Sequence, residues 1–157
     1  GWVHTGDIGE FDDEDYLKIT DRKKDILVNA GGDNISPTRV EAKLDIEPEI
    51  AQSMLYGDYK NYLVAVIVPD KDFAINWAKE NSKDQVFESI IKDEDFNKTM
   101  KEIVNKVNKN LSVIEQVRKF ILIDHEFTIE NSMMTVSMKV RRFAVKDKYG
   151  DQLEKLY

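Results

Sequence analysis

Three short segments of this sequence combine residue types that could bind a nucleotide or stabilise a developing negative charge. The first, Thr5–Asp7, places a carboxylate directly after a glycine. An ionised aspartate only accepts hydrogen bonds, and glycine lets a ligand come close because it has no Cβ. Asp7 could therefore bind the two hydroxyls of a ribose. Taken alone, the triplet is explained as well by an aspartate that closes its own turn.

The other two segments are basic. Residues 21–25 (DRKKD) hold three cations between two anions, directly before a loop that contains Gly31 and Gly32. Residues 135–142 (TVSMKVRR) contain Lys139 and, after it, two arginines. A lysine is a compact, mobile charge that suits a phosphoryl or acyl oxygen, whereas arginines at a helix start more often bind a partner surface or acidic groups. Each segment alone also fits a solvated charged turn or a basic helix entrance.

The elements that must position the first two segments are predicted from local patterns. Strand-like runs at 8–11 and 16–20 flank Asp12–Asp15, which indicates a β-hairpin whose acidic run is a solvated turn rather than a metal site. Residues 25–28 are predicted to form another strand, and residues 29–34 a tight loop. Ser36 and Pro37 are typical of a helix start. In that helix, Val40 and Leu44 are expected to face inward and Glu41 outward.

The remaining pattern predicts a sheet with helices. Residues 50–56 and 62–68 read as two antiparallel strands, and apolar residues recur every three or four positions from Phe96 to Leu111. Residues 120–123 are predicted to be a buried strand, 128–137 a polar loop, and 143–156 a last helix in which Gly150 is a weak point. The predicted class is α+β: a small antiparallel or mixed sheet flanked by helices and preceded by a short β-hairpin.

Composition excludes several classes of function. The chain has 157 residues, 41% of them hydrophobic, which suits one domain or one domain with a short appendage. The formal charge of −7 comes from 30 acidic and 23 basic residues that are mixed along the chain, so a nucleic-acid partner is not expected. The absence of cysteine excludes disulfides, thiolate metal sites and cysteine nucleophiles, and is compatible with the cytoplasm.

Two further features concern membranes and the chain ends. The longest apolar run, 62–69, is far shorter than the roughly 20 residues that span a bilayer, so no membrane-spanning segment is expected. The chain begins at Gly1 and Trp2 without an initiator methionine or a signal-peptide pattern. We therefore expect an excised piece whose partner surface belongs to the missing part.

In this order and over this span, the three segments resemble the signature of the AMP-forming, or adenylate-forming, acyl-CoA synthetases. Their relatives are the luciferases, the aryl-CoA ligases and the adenylation domains of peptide synthetases. Residues 1–42 (GWVHTGDIGEFDDEDYLKITDRKKDILVNAGGDNISPTRVEA) are similar to the family pattern throughout. Residues 21–41 are most similar to the long-chain fatty acid-CoA ligases.

The resemblance implies a role for each candidate residue. Asp7 and Arg22 match the positions that bind the ribose of ATP, and Lys24 matches the hinge about which the C-terminal domain swings. Gly31 and Gly32 match the loop that lines the pantetheine channel of CoA. No metal ligand is implied within this chain.

Lys139 matches the catalytic lysine that reaches the α-phosphate and the carboxylate during adenylation. The lead-in to Lys139 departs from the family, which commonly has Thr-Pro-Thr or Ser-Gly there, whereas residues 135–138 read Thr-Val-Ser-Met. Losing proline or glycine changes the stiffness of a loop. We therefore treat the preset conformation of the lysine loop as open.

The resemblance also implies how the chain is divided and what it does. Residues 1–23 would be the tail end of an N-terminal domain, and residues 24–157 a mobile C-terminal lid. The whole enzyme would be an ATP-dependent acid–thiol ligase that activates a long-chain fatty acid as acyl-AMP and transfers it to CoA. Mg²⁺ would accompany ATP and be bound mainly by the missing N-terminal domain. The isolated fragment is expected to be inactive, because Asp7 and Arg22 would supply only the ribose side of the nucleotide site.

Two other functions remain open from the sequence. The chain could belong to an adenylation module that loads another carboxylate onto a carrier protein, or it could be a non-catalytic nucleotide-binding or interaction domain. For the enzyme, the expected location is the cytoplasm, with peripheral association with a membrane left open.

Overall fold

The computed structural model describes the backbone of residues 1–157 and every side chain except those of residues 20 and 21. The strands are β1 (Asp7–Phe11), β2 (Leu17–Arg22), β3 (Leu27–Val28), β4 (Asn34–Ile35), β5 (Ile50–Tyr56), β6 (Leu63–Pro69) and β7 (Val117–Leu122). The α-helices are α1 (Pro37–Leu44), α2 (Lys71–Glu80), α3 (Phe87–Ile90), α4 (Glu94–Asn108) and α5 (Arg142–Glu154). A single 3₁₀ turn, Val113–Glu115, precedes β7.

The N-terminal β-hairpin forms as predicted. Strands β1 and β2 pair antiparallel, and the register places Asp7 opposite Arg22. The carboxylate of Asp12 closes the turn by accepting hydrogen bonds from the backbone N–H groups of Glu14 (3.0 Å) and Tyr16 (2.9 Å). The acidic run is thus an exposed turn held by its own first residue.

The central sheet has the strand order β5–β6–β7. The pair β5–β6 is antiparallel, as predicted, and the pair β6–β7 is parallel, so the sheet is mixed. Every residue of β6 is buried. An apolar strand that is buried on both faces requires a cover on each side of the sheet.

Each face of the sheet carries its own apolar core. Alternate residues of β6 point to opposite sides: Leu63, Ala65 and Ile67 pack with α1, α2 and α4, and Val64, Val66 and Val68 pack with α5 and the loop before it. On the first face, Trp77 of α2 contacts Phe96 of α4 with ring centroids 5.0 Å apart. Helices on both faces of a small mixed sheet make the domain α+β, as predicted.

Three of the helices, α1, α2 and α4, begin at side chains that cap them. The Ser36 hydroxyl accepts the N–H of Arg39 (3.3 Å) with Pro37 in the first turn, as the sequence predicted. Asp70 and Asp93 cap α2 and α4 in the same way. Helix α4 confirms the predicted amphipathic helix, although it ends at Asn108, before Leu111.

Two details differ from the sequence prediction. The predicted strand at 25–28 is only two residues long, because residues 22–25 form a reverse turn. Helices α2 and α3 were not predicted, although Asp70 followed by Phe73, Ala74 and Trp77 carries the cap and the spacing of a short amphipathic helix. In the described part of the chain, no helix is both long and apolar enough to cross a membrane.

Candidate functional site

The hairpin brings Asp7 and Arg22 together. They face each other across β1 and β2, and Arg22 Nε lies 3.5 Å from Asp7 Oδ1. Gly6 precedes this pair with φ +75°, and its carbonyl accepts the N–H of Lys23 at 2.8 Å. Both side chains stay partly exposed, 29% for Asp7 and 57% for Arg22. An approaching diol would meet a carboxylate whose position is set by a neighbouring guanidinium.

Lys24 lies in the reverse turn that connects the hairpin to the rest of the chain. The turn is closed by a hydrogen bond from the N–H of Asp25 to the carbonyl of Arg22 (2.9 Å). The Lys24 side chain is exposed. Within the described part of the chain, no hydrogen bond uses its backbone N–H. A change of the backbone dihedral angles at Lys24 would alter the turn that the Asp25–Arg22 hydrogen bond closes.

Gly31 and Gly32 lie in a loop that Asn29 and Asp33 hold closed. The N–H of Asp33 donates to Asn29 Oδ1 (2.9 Å), and Asn29 Nδ2 donates to Asp33 Oδ2 (3.0 Å). Gly32 has φ +87°, a conformation that side chains rarely adopt. Both glycines are exposed, so a ligand can lie directly against the backbone.

The turn between β5 and β6 is hydrogen-bonded to this glycine loop and to the strand before it. Tyr59 N–H donates to the carbonyl of Val28 (2.6 Å), and Ala30 N–H donates to the carbonyl of Lys60 (3.0 Å). Lys60 Nζ in turn binds Glu154 of α5 at 2.6 Å. The ion pair with Lys60, together with a short hydrogen bond from the Tyr56 hydroxyl, lowers the pKa of Glu154. The glycine loop is therefore tied to the last helix through two short steps.

Lys139 ends a tight turn that begins at Thr135. The N–H of Thr135 donates to the carbonyl of Lys139 (2.8 Å), and the Lys139 N–H donates to the Thr135 hydroxyl (3.1 Å). Met138 occupies the left-handed region with φ +61° and donates its N–H to the Thr135 carbonyl at 2.9 Å. The loop that lacks the family's proline or glycine is thus shaped by a threonine instead. It presents the Lys139 side chain to solvent.

Glu41 corrects one expectation and adds residues that the sequence analysis missed. Instead of facing outward, Glu41 is 7% exposed. Its carboxylate accepts two hydrogen bonds from Arg142, Nη1 to Oε1 and Nη2 to Oε2, both at 2.5 Å, and one from the Leu55 N–H at 2.6 Å. A signal was available, since Glu41 lies four residues after Pro37 and three before Leu44, both of which are buried.

The Glu41–Arg142 pair joins the two loops that carry the predicted chemistry. Helix α1, which holds Glu41, follows the glycine loop, and Arg142 begins α5 three residues after Lys139. Asp7 and Arg22, by contrast, pair with each other on the hairpin. Among the described side chains, no hydrogen bond or ion pair joins Lys139 to Asp7. The chain therefore presents two separate units, the hairpin pair and the coupled glycine and lysine loops.

The carboxylates of the described residues are not arranged as a metal site. Among the described side chains, no group of three or more His, Asp or Glu could hold a metal ion. A magnesium ion that accompanies a nucleotide needs only one or two carboxylates besides phosphate oxygens and water. In the hairpin turn, the carboxylate of Asp12 accepts backbone N–H groups instead.

Comparison with known proteins gives one family and several relatives. The family described as "AMP-binding enzyme C-terminal domain" matches residues 24–157. A long-chain-fatty-acid–CoA ligase of Mycobacterium tuberculosis, FadD15, is 35% identical over the whole chain, which spans 26% of that protein. The chain thus covers about a quarter of the length of the curated relatives it matches.

Solved structures share the fold. The adenylation domain of a carboxylate reductase from Mycobacterium chelonae superposes with a TM-score of 0.80 at 28% identity, covering 98% of this chain and 22% of that one. The A–PCP didomain of a carboxylic acid reductase from Segniliparus rugosus, solved in complex with AMP, gives a TM-score of 0.74 at 28% identity, covering 98% and 20%.

Proposed function

The chain belongs to the family of AMP-binding enzyme C-terminal domains, and from this premise we propose that it is the catalytic lid of an ATP-dependent long-chain fatty acyl-CoA synthetase. The observation that carries the proposal is the similarity of the whole chain, at 35% identity, to a long-chain-fatty-acid–CoA ligase. The accessible side chains of Asp7, Arg22 and Lys139 support it, because the resemblance assigns nucleotide binding and catalysis to these three positions.

The proposed reaction has two half-reactions. A carboxylate oxygen attacks the α-phosphorus of ATP, the bond to pyrophosphate breaks, and acyl-AMP forms. The sulfur of CoA then attacks the acyl carbon, the bond to AMP breaks, and the thiol proton leaves to solvent or a base. Mg²⁺ would neutralise phosphate charge in the first step and would be bound mainly outside this chain.

Lys139 would act in the first half-reaction. Negative charge accumulates there where the carboxylate and phosphate oxygens converge, and a positioned ammonium stabilises it. Asp7 would bind the ribose hydroxyls, and Arg22 would hold the Asp7 carboxylate in place. The exposed lysine needs no rearrangement of its own turn to reach a ligand outside the chain.

The glycine loop would act in the second half-reaction. Its exposed backbone at Gly31 and Gly32 would line the path of the pantetheine arm of CoA, which a side chain at Gly32 would obstruct. We assign residues 1–23 to the tail end of the N-terminal domain and residues 24–157 to the mobile lid, with Lys24 as the hinge. The family match to residues 24–157 supports this division.

A rotation of the lid about Lys24 would withdraw Lys139 from the active site and bring the glycine loop into it. The Glu41–Arg142 pair suits this movement, because it links the two helices that follow these loops. A cytoplasmic location goes with the proposal, since the chain has no cysteine and the substrates ATP and CoA are available there.

The experiment is to replace Lys24 by proline in the full-length enzyme and to measure the two half-reactions separately. Proline fixes φ at about −65°, so thioester formation from acyl-AMP should fall far more than adenylate formation. Lys24→Ala is the matched control, because it removes the same charge and leaves φ free. Equal losses in both half-reactions with proline, or an equal loss with alanine, would show that Lys24 is not the pivot.

The structural comparison also supports a second candidate function. The adenylation domains of carboxylate reductases superpose well on this chain, and one of them was solved together with a PCP domain. The acceptor would then be the phosphopantetheine of a carrier protein rather than free CoA. Product analysis with CoA and with a carrier protein separates the two, since only the true acceptor yields a thioester rapidly.

A further inference from the structure

A groove of about 490 Å³ lies between the first turns of α4 and strand β7. Strand β7 is at the edge of the central sheet, and Leu156, which follows α5, lines a third side of the groove. Phe120 and Leu156, both half-buried, supply its apolar floor. None of its lining residues belongs to the hairpin pair, the glycine loop or the lysine loop.

The rim of this groove is strongly basic. Five cationic side chains line it against a single carboxylate, that of Glu94, in a chain whose net charge is −7. The cations are Lys92, Lys98, Lys101, Arg118 and Lys119. Such a concentration of one sign in a concavity attracts anions, because field lines focus there.

Within the described part of the chain, two of the five cationic side chains form an ion pair or a hydrogen bond with another group of the protein. Lys98 lies 3.5 Å from Asp95, and Lys119 donates to the backbone carbonyl of Leu156 at 2.5 Å. For the other three, Lys92, Lys101 and Arg118, no ion pair or side-chain hydrogen bond occurs within the described part of the chain. Three cationic side chains without such a partner thus line the groove together with the apolar side chains of Phe120 and Leu156.

Protection of the sheet edge explains only part of this arrangement. Charged residues on an edge strand prevent unwanted strand pairing, which accounts for Arg118 and Lys119. It does not account for Lys92 and Lys101, which approach from the other wall of the groove. Nor does it account for an apolar floor, which edge protection would not require.

We propose that this groove binds a single-chain amphiphile with an anionic head, such as a fatty carboxylate. The head would lie among Lys92, Lys101 and Arg118, and the alkyl chain would cover Phe120 and Leu156. Long lysine side chains add to the apolar surface, because their methylene stems lie along it while the ammonium groups stay in water. The volume falls within the range of about 300–1,000 Å³ that is usual for small-molecule sites.

The test is calorimetric titration of the chain with laurate below its micelle-forming concentration. Laurate should bind saturably with one site per chain, and butyrate, with the same head and a short tail, should bind far more weakly. Arg118→Glu and Lys101→Glu should each weaken laurate binding about tenfold, since each replaces an attraction by a repulsion. Lys71→Glu, an exposed lysine at the start of α2 and outside the groove, should bind laurate like the parent chain.

Circular dichroism and thermal melts of each variant separate loss of binding from loss of folding, and ¹⁵N shifts at Phe120 and Leu156 in the parent chain locate the ligand. Three results would overturn the proposal. These are an unchanged affinity in folded Arg118→Glu and Lys101→Glu, equal binding of butyrate and laurate, and binding to vesicles of phosphatidylglycerol without binding of monomeric laurate. The last result would assign the patch to a membrane surface instead.

Discussion

Lys139 is oriented by backbone geometry rather than by a partner for its ammonium group. The turn from Thr135 fixes the Cα of Lys139 through two hydrogen bonds, and the side chain leaves the turn into solvent. A lysine held in this way keeps its charge available for a ligand. The same reasoning separates it from Arg142, whose guanidinium is already committed to Glu41.

The first prediction concerns this lysine in the full-length enzyme. Lys139→Ala should slow adenylation by a factor on the order of hundreds to thousands, as expected when one preorganised electrostatic donor is removed. Thioester formation from supplied acyl-AMP should survive, since the proposed rotation about Lys24 would withdraw the lysine in that half-reaction. Pyrophosphate release and single-turnover thioester formation measure the two steps.

Arg141 provides the control for position. It is exposed and lies two residues from Lys139, so a general attraction for ATP would make Arg141→Ala about as damaging as Lys139→Ala. We expect a clear inequality instead, and we expect Lys139→Arg to remain slow because a planar fork does not replace a compact ammonium. Near-normal adenylation in Lys139→Ala would refute the assignment of this loop.

At the scale of elements, one buried ion pair holds α1, β5 and α5 together. The Glu41 carboxylate has accepted its three hydrogen bonds from two different elements, so its loss would leave buried groups without partners. Breaking a buried pair costs more than the pair contributes when compared with an apolar replacement. This asymmetry makes the pair a sensitive test of the fold.

The second prediction follows from that pair. Arg142→Gln should lower the free energy of unfolding by about 2–3 kcal/mol, since it leaves the buried Glu41 charge uncompensated while Arg142 itself is partly exposed. Arg141→Gln, its exposed neighbour, should change stability by less than about 0.5 kcal/mol. Urea unfolding of both variants measures the difference. Similar midpoints for the two variants would show that the pair does not support the fold.

The third prediction concerns two glycines that should respond in opposite directions. Gly150 lies inside α5, and a Cβ there would meet only Lys146 Cγ at 3.8 Å, so Gly150→Ala should stabilise the chain by about 0.5–1 kcal/mol. Gly32→Ala should destabilise it by about 1–2 kcal/mol, because alanine is strained at a positive φ. Thermal melts decide this, and shifts of the same sign would contradict the prediction.

At the scale of the whole molecule, two of the exposed apolar surfaces lie near predicted site residues. On the N-terminal segment and hairpin, the side chains of Trp2, Phe11 and Tyr16 are 98%, 71% and 68% exposed. Around Lys139, Val136 and Phe143 are 85% and 84% exposed. Exposed apolar groups of this kind often mark contact surfaces. Both surfaces adjoin predicted site residues, as expected if a larger domain completes the site.

The fourth prediction is that the isolated chain neither turns over palmitate, ATP and CoA nor binds ATP tightly. In the proposed site, Asp7 and Arg22 would contact only the ribose, and the chain spans about a quarter of its curated relatives. A coupled pyrophosphate assay and calorimetry with ATP test this. Measurable turnover by the pure chain would contradict the proposed division of the site between two domains.

Much of this protein could be predicted from sequence because the relevant forces act locally. The hairpin, the cap at Ser36, the amphipathic α4 and the α+β class depend on spacing and on side chains that bond to nearby backbone. The positions of the candidate site residues came from the resemblance of short segments to a known family. Their roles stay predictions until the proposed variants are measured.

Other features depend on contacts between residues far apart in the chain, which no local pattern specifies. The parallel pairing of β6 with β7 and the link from Lys60 to Glu154 are of this kind, because each joins residues about 50 to 100 positions apart. Glu41 shows this most clearly. Its spacing from Pro37 and Leu44 places it on the buried face of α1, but it can be buried only because Arg142, 101 residues later, and the Leu55 N–H replace the hydrogen bonds that water would have supplied. The sequence by itself therefore determined which loops are the candidates for the chemistry, and the tertiary structure decided that a buried ion pair links the helices that follow the glycine and lysine loops.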